Sequence, residues 1–190
     1  MSDATSYLGG RVLVAMPGIG DPRFERAVIF MCAHDAEHGM GITVNRPVDG
    51  LTVAKLLERL GVTCGAEASQ DLVLFGGPVE RERGFVLHTD DYVGDAASLT
   101  VAPGLRLTLT RDILDALAGT RPPPRRAAMA LGYAGWGAGQ LEEELRQNVW
   151  LTCDPDEELL FGDDHEHKWS HALAKIGVSA EHLSAQAGRA

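Results

Sequence analysis

Between Arg11 and Arg46, three runs of apolar and β-branched residues follow one another with only turn residues between them. Arg11–Met16 and Ala27–Ala33 are separated by Pro17, Gly18, Gly20, Asp21 and Pro22, and a polar break at His34–His38 precedes Gly39–Arg46. Runs of this length and composition suit a pleated backbone, so they predict two central strands joined by a longer loop and then a hairpin. Three strands in succession argue for antiparallel pairing and against a regular alternation of strand and helix.

The same punctuation continues. Thr52 opens a segment in which Val53, Leu56, Leu57 and Leu60 recur at helical spacing before a stop at Gly61. Leu72–Phe75, Gly84–His88, Ser98–Val101 and Leu105–Leu109 read as short strands. A second helix is expected from Thr110, with Ile113, Leu114 and Leu117 on one face, ending at Gly119 and the prolines 122–124. Ala127–Leu131 reads as a buried strand, Gly139–Arg146 as a helix and Val149–Thr152 as a strand. Pro155–Leu160 reads as a short helix with proline in its first turn. Asp163 and Glu166 have capping-box spacing ahead of a helix with Trp169, Leu173 and Ile176 on one face. Strands outnumber helices, which predicts an α+β fold: one domain over residues 1–190, built on a twisted antiparallel or mixed sheet with flanking helices.

Charge and cysteine usage narrow the functional classes. A net charge of -10 repels nucleic acid and anionic lipid at long range. The longest apolar stretch, Ala27–Ala33, is far shorter than the ~18 residues of a membrane helix. Residues 1–10 have neither a basic start nor an apolar run, so no export signal is expected there. Cys32, Cys64 and Cys153 are widely spaced and odd in number, which fits neither a disulfide scaffold nor a four-cysteine zinc site and suits a reducing cytoplasm.

Several constellations carry chemistry on paper. Cys32 and His34 are two apart on a predicted strand, so period-two geometry puts them on one face as a possible thiol and base for an enzyme or redox sensor; the competing reading is an inert buried thiol. Leu131–Gln140 has the order strand, glycine-rich turn, helix, but lacks the spacing of a phosphate loop, and Glu142, Glu143 and Glu144 would repel a phosphate at the helix start. The simpler role for its glycines is to let Tyr133 and Trp136 pack on close backbone. His167 and His171, four apart on a helix beside Asp163, Asp164 and Glu166, are candidate metal ligands, although the acids also serve as helix-start charges. No cofactor is implied by any of these motifs.

The segment 173–184 imitates a helix-turn-helix, with His182, Gln186 and Arg189 as base-reading candidates. Eleven acids against four bases in the last fifty residues count against phosphate neutralisation there. Arg121, Arg125 and Arg126 make a compact basic cluster suited to a carboxylate, a phosphate or a solvated loop.

Met16-Pro17 with Asp21-Pro22 and Phe24, Cys32-Ala33-His34, Gly41 with Asn45-Arg46-Pro47, Gly76-Gly77-Pro78-Val79, Gly84–His88 and Leu131–Glu142, followed by Trp150 and Lys168-Trp169, together resemble the YqgE/AlgH family over nearly the whole chain. The resemblance implies a compact α+β fold with a barrel-like antiparallel sheet. It implies no reaction, cofactor or catalytic residue, and some family members are labelled transcriptional regulators. Where the family usually has Glu between the Cys and the His, this chain has Ala33.

The combined expectation is a cytoplasmic regulatory or interaction protein rather than an enzyme, binding a small ligand or protein partner not specified by the sequence. The expected surface links loops around Pro17, Asn45, Gly77 and Trp136, with Arg46, Gly76, Pro78 and His88 as further candidates. Nucleic acid is the disfavoured partner, and the oligomeric state is left open.

Overall fold

The computed structural model describes residues 7–92, 94 and 98–187. The first three strands, β1 (Val12–Ala15), β2 (Val28–His34) and β3 (His38–Thr43), form the expected antiparallel meander. Val12, Val14, Val28 and Phe30 point into one core cluster, whereas Leu13, Ala15, Ile29 and Met31 point into another. Both faces of the meander are covered, which is why these strands read as continuous apolar runs rather than as alternating ones.

A strand not expected from the sequence, β4 (Pro47–Thr52), follows. Its Asp49 and Gly50 are exposed, so it carries no strand-like apolar pattern, and it exists through irregular pairing with β5 (Leu72–Phe75). Between them lies α1 (Val53–Arg59), where Thr52 Oγ1 accepts the Lys55 N–H at 3.3 Å. Then come β6 (Val79–Thr89), β7 (Leu99–Ala102), β8 (Leu105–Thr108) and α2 (Arg111–Leu117). The helices α1 and α2 share a cluster with Val73, Val86 and Met129 on the sheet.

The spine is β9 (Ala127–Gly137), twice as long as expected. The glycine-rich segment read as a turn is strand: Ala134–Gly137 pairs with β3, while residues 127–131 and Tyr133 pair with β6. It was misread because glycine depletes strand propensity, whereas here glycine permits close crossings. A Cβ on Gly76 would lie 2.3 Å from Gly132 O, and one on Gly77 would lie 2.1 Å from Tyr133 C. The chain then forms α3 (Gln140–Arg146), β10 (Trp150–Cys153), α4 (Glu157–Phe161), α5 (Lys168–Lys175) and α6 (Ala180–Ala187).

The strand order is β10-β1-β2-β3-β9-β6-β8-β7, with β5 parallel to β9 and every other pairing antiparallel. The sheet curls into a half-barrel, so that Val101 of β7 shares a cluster with Val12 and Phe30, and Gly10 packs against Ala102. Trp169 and Leu173 of α5 close this cluster, and the Trp169 indole N–H donates to Ala15 O at 2.8 Å.

Two helix starts differ from expectation. Asp156 Oδ1, not Pro155, begins α4 by accepting the Leu159 N–H at 2.8 Å. Asp163 and Glu166 form no capping box; α5 begins after His167, which gives it no side-chain cap, and Asp163–His167 is a turn tied by Asp164 to His167. Arg189 and residues 1–6 lie outside the described residues. Among the described residues, no helix is long and apolar enough to cross a membrane.

Candidate functional site

The crossings at Gly76, Gly77 and Gly132 bring the β5–β6 connection against β9 and set Pro78 and Val79 beside Trp136. The loop before β2 supplies Asp21, Arg23 and Phe24, α3 supplies Gln140 and Glu144, and β10 supplies Trp150. These groups line a cleft of about 460 Å³.

Its centre is a carboxylate held by indoles. Trp136 Nε1 and Trp150 Nε1 both donate to Glu144 Oε2, at 2.9 and 2.7 Å, and Gln140 Nε2 donates to Oε1 at 3.0 Å. The Trp136 and Trp150 rings meet edge to face at 6.1 Å, and Phe24 meets Trp150 at 5.9 Å. At the mouth, Arg23 lies 5.6 Å from the Phe24 ring centre and pairs with Asp21 at 2.7 Å. That hydrogen-bonded guanidinium lowers the Asp21 pKa below the usual carboxylate range. Aromatic walls, an ordered carboxylate and an exposed ion pair suit recognition of a partly apolar group.

The remaining sequence candidates are placed as follows. Asn45 clamps the start of β2: its Oδ1 accepts the Val28 N–H at 2.9 Å, and its Nδ2 donates to Arg26 O at 2.9 Å. Arg46 donates to Glu25 O, and burial lowers its pKa. Pro17 sits half-buried in the turn after β1 and does not line the cleft. His88 is fully buried and belongs to another part of the sheet. Its Nδ1 faces Thr89 O at 2.7 Å, so Nδ1 carries the proton and Nε2 accepts from Thr108 Oγ1 at 2.8 Å. Pro78 and Trp136 are therefore the sequence candidates that reach the cleft, while Gly76 and Gly77 act through the crossing behind it.

Cys32 and His34 do not form a pair. A bulge between Met31 and Ala33 breaks the period-two alternation. Cys32 packs in the half-barrel cluster with Phe30, and burial pushes its thiol up to about 12. The His34 ring lies near the space over Gly39, beside Met31 and Trp136 of the other cluster. His34 Nδ1 accepts the Leu8 N–H at 3.0 Å, so Nε2 carries the proton and faces Glu142 Oε1 at 3.0 Å. The carboxylate that faces this histidine therefore comes from Glu142 on α3.

His167 and His171 also diverge: His167 is held by Asp164 at 2.8 Å, and His171 faces Asp156 at 3.3 Å. Among the described residues, no group of three or more His, Cys, Asp or Glu side chains is placed to hold a metal ion. Arg125 is paired with Glu157, and Arg126 lies 5.9 Å from the Phe161 ring centre; the two line one pocket together with Glu158 and Asp163.

Sequence reasoning missed Glu144, which it treated as one of three helix-start acids. It also missed the environment of Lys168, whose Nζ is buried and donates to Val44 O at 2.9 Å. Burial lowers this lysine's pKa to about 8.

The fold is a curled, mainly antiparallel α+β half-barrel with an aromatic-lined cleft. The chain belongs to the AlgH-like family, whose model matches residues 12–181. A UPF0301 protein of Caulobacter vibrioides is 64% identical, covering 99% of this chain and 96% of its own. One of Ruegeria pomeroyi is 50% identical, covering 96% and 99%. The solution structure of the AlgH protein from Pseudomonas aeruginosa superimposes with a TM-score of 0.76 at 39% identity over 100% of both chains. A Corynebacterium diphtheriae protein, 17% identical over 91% of this chain and 88% of its own, shares the fold with a TM-score of 0.71.

Proposed function

We propose that this chain is a cytoplasmic regulatory or interaction protein that engages a protein partner or small ligand in the cleft between Phe24, Val79, Trp136 and Trp150. The observation that carries this reading is convergence: segments spread from Asp21 to Trp150 meet in one cleft, and Glu144 fixes both indoles by the same oxygen. Loops positioned by a rigid sheet are where binding residues concentrate. Cys32, the candidate nucleophile, lies in the core and away from His34, which favours binding over catalysis.

A photo-crosslinking residue placed at Val79, which is 36% exposed, tests the reading in cells. The expected result is a discrete crosslinked species that is lost when Phe24→Ala is added and absent when the crosslinker sits at exposed Glu37. Equal crosslinking from Glu37, or none from Val79, would overturn the assignment of the cleft.

A further inference from the structure

A second cavity, of about 490 Å³, lies between α1 and α2 and shares no lining residue with the aromatic cleft. Leu56 and Leu60 form one wall, Leu109 and Leu114 the other, and Val86 and Met129 the floor. Leu60 is 56% exposed and Leu109 41%, although neighbouring Leu57 and Ile113 are buried. Large leucines open on both sides of a groove, above a sealed apolar floor, suit an apolar ligand.

The lip adds a charge preference. Arg81 and Arg83 line the groove from β6, and each guanidinium is steadied on an aromatic ring, at 5.5 Å from Phe75 and 5.6 Å from Phe85. Arg83 also meets Glu80 at 3.3 Å, and Glu82 lies at the same lip, whereas no ion pair of Arg81 is found among the described residues. With Arg83 paired to Glu80, the guanidinium left to meet a ligand at this lip is that of Arg81. A planar guanidinium recognises carboxylate in a bidentate fashion.

We propose that this groove binds a single-chain amphiphile with a carboxylate head, the chain lying between the leucines of α1 and α2 and the head against Arg81. The volume falls in the range of about 300–1,000 Å³ typical of small-molecule sites, and the groove is walled on both sides, unlike the broad patch a folded partner needs.

The test titrates a dansyl-labelled undecanoic acid into the full chain and follows dansyl emission. Saturable, blue-shifted emission at one probe per chain is expected, with displacement by dodecanoate and about tenfold weaker displacement by dodecanol. Leu60→Glu and Leu109→Glu, both at exposed positions, should abolish the signal while circular dichroism shows the fold retained. Arg81→Glu should bring dodecanoate down to the affinity of dodecanol. Absence of saturable binding, or binding untouched by Leu60→Glu, would overturn the site, and equal competition by dodecanol would overturn the carboxylate preference. If sedimentation shows instead a dimer of the free chain that Leu60→Glu dissociates, the groove is an interface between copies and the proposal fails.

Discussion

Trp136 and Trp150, on strands β9 and β10, donate their indole N–H groups to a single oxygen of Glu144 on α3. Trp136 and Trp150 are 6% and 4% exposed, so removing the carboxylate leaves two largely buried donors without their acceptor. A buried donor left unsatisfied costs about 1–3 kcal/mol. Glu144→Ala is accordingly expected to destabilise the fold by about 2–4 kcal/mol in urea unfolding, with a change in tryptophan emission. Glu144→Gln, which keeps an acceptor oxygen, should cost less. Equal losses for the two variants would mean that the charge of the carboxylate, and not the packing of the side chain or a neutral acceptor oxygen, holds the cleft.

The Gly76-Gly77 crossing sets a stricter limit. A methyl group on Gly77 would overlap backbone atoms of Tyr133 and Ala134, and the glycine has φ +157°, at the edge of the range that other residues seldom adopt. Gly77→Ala should therefore cost about 3 kcal/mol or more, or prevent accumulation of folded protein. Gly50→Ala is the control: its φ is also positive, at +68°, but a methyl there meets nothing within 4 Å. Its cost should be limited to backbone strain, about 1 kcal/mol. Thermal unfolding of the two variants side by side separates overlap from strain.

These features show where the sequence was legible. The meander, α1, α2 and the short strands after α1 could be read because apolar periodicity is local. The second half of β9 could not, because the Gly132 that precedes it is required by a close crossing with Gly77 and Val79, a relation that period and propensity do not contain. The bulge at Cys32 had the same effect on chemistry: one extra residue moved His34 away from the thiol and toward Glu142. Glu144 looked like a helix-start charge, and only the closed sheet shows two indoles converging on it. Of the residues singled out in the sequence, Pro78 and Trp136 line the cleft, while Asn45 and His88 hold backbone and strands.

The thiol chemistry can be checked directly. Cys32, with its pKa at about 12 and its side chain in the core, should resist a disulfide reagent at neutral pH in the folded protein and react on unfolding. Cys64, half-buried and facing Ala54 O at 3.7 Å, should be labelled first. Mass-spectrometric mapping of the labelled peptides gives the order; early labelling of Cys32 would reopen the redox reading.

Acid stability should depend on His88. Burial is the main cause that lowers its pKa from the ordinary 6.5, assisted by Arg106 and opposed by the Thr89 carbonyl, Asp91 and Asp112. Because the unfolded chain takes up this proton at a higher pH than the folded one, the contribution to stability is complete above about pH 6.5 and is lost as pH falls through the lower folded value. His88→Gln, which keeps hydrogen-bonding groups without titrating, should reduce the loss of stability between pH 7 and pH 5. An unchanged slope would place the acid sensitivity elsewhere.

Lys168 predicts the opposite end of the pH scale. Its ammonium is 3% exposed, and its pKa falls from the ordinary 10.5 to about 8, chiefly through burial, with Glu158 and Asp163 opposing the fall. The unfolded chain therefore holds this proton more tightly, and the folded state gains stability from Lys168 as pH rises from about 8 to 10.5. A fall of this size corresponds to about 3 kcal/mol. Cysteine and tyrosine titrate in the same window, so the quantity to compare is the difference between the wild type and Lys168→Met. Near pH 7 the buried charge costs the wild type most, and Lys168→Met gives up only the bond to Val44 O, a carbonyl that His165 also approaches. The variant should thus match or exceed the wild type near neutrality, and its advantage should shrink toward pH 10. A constant difference across that range would mean that Lys168 is not charged when buried.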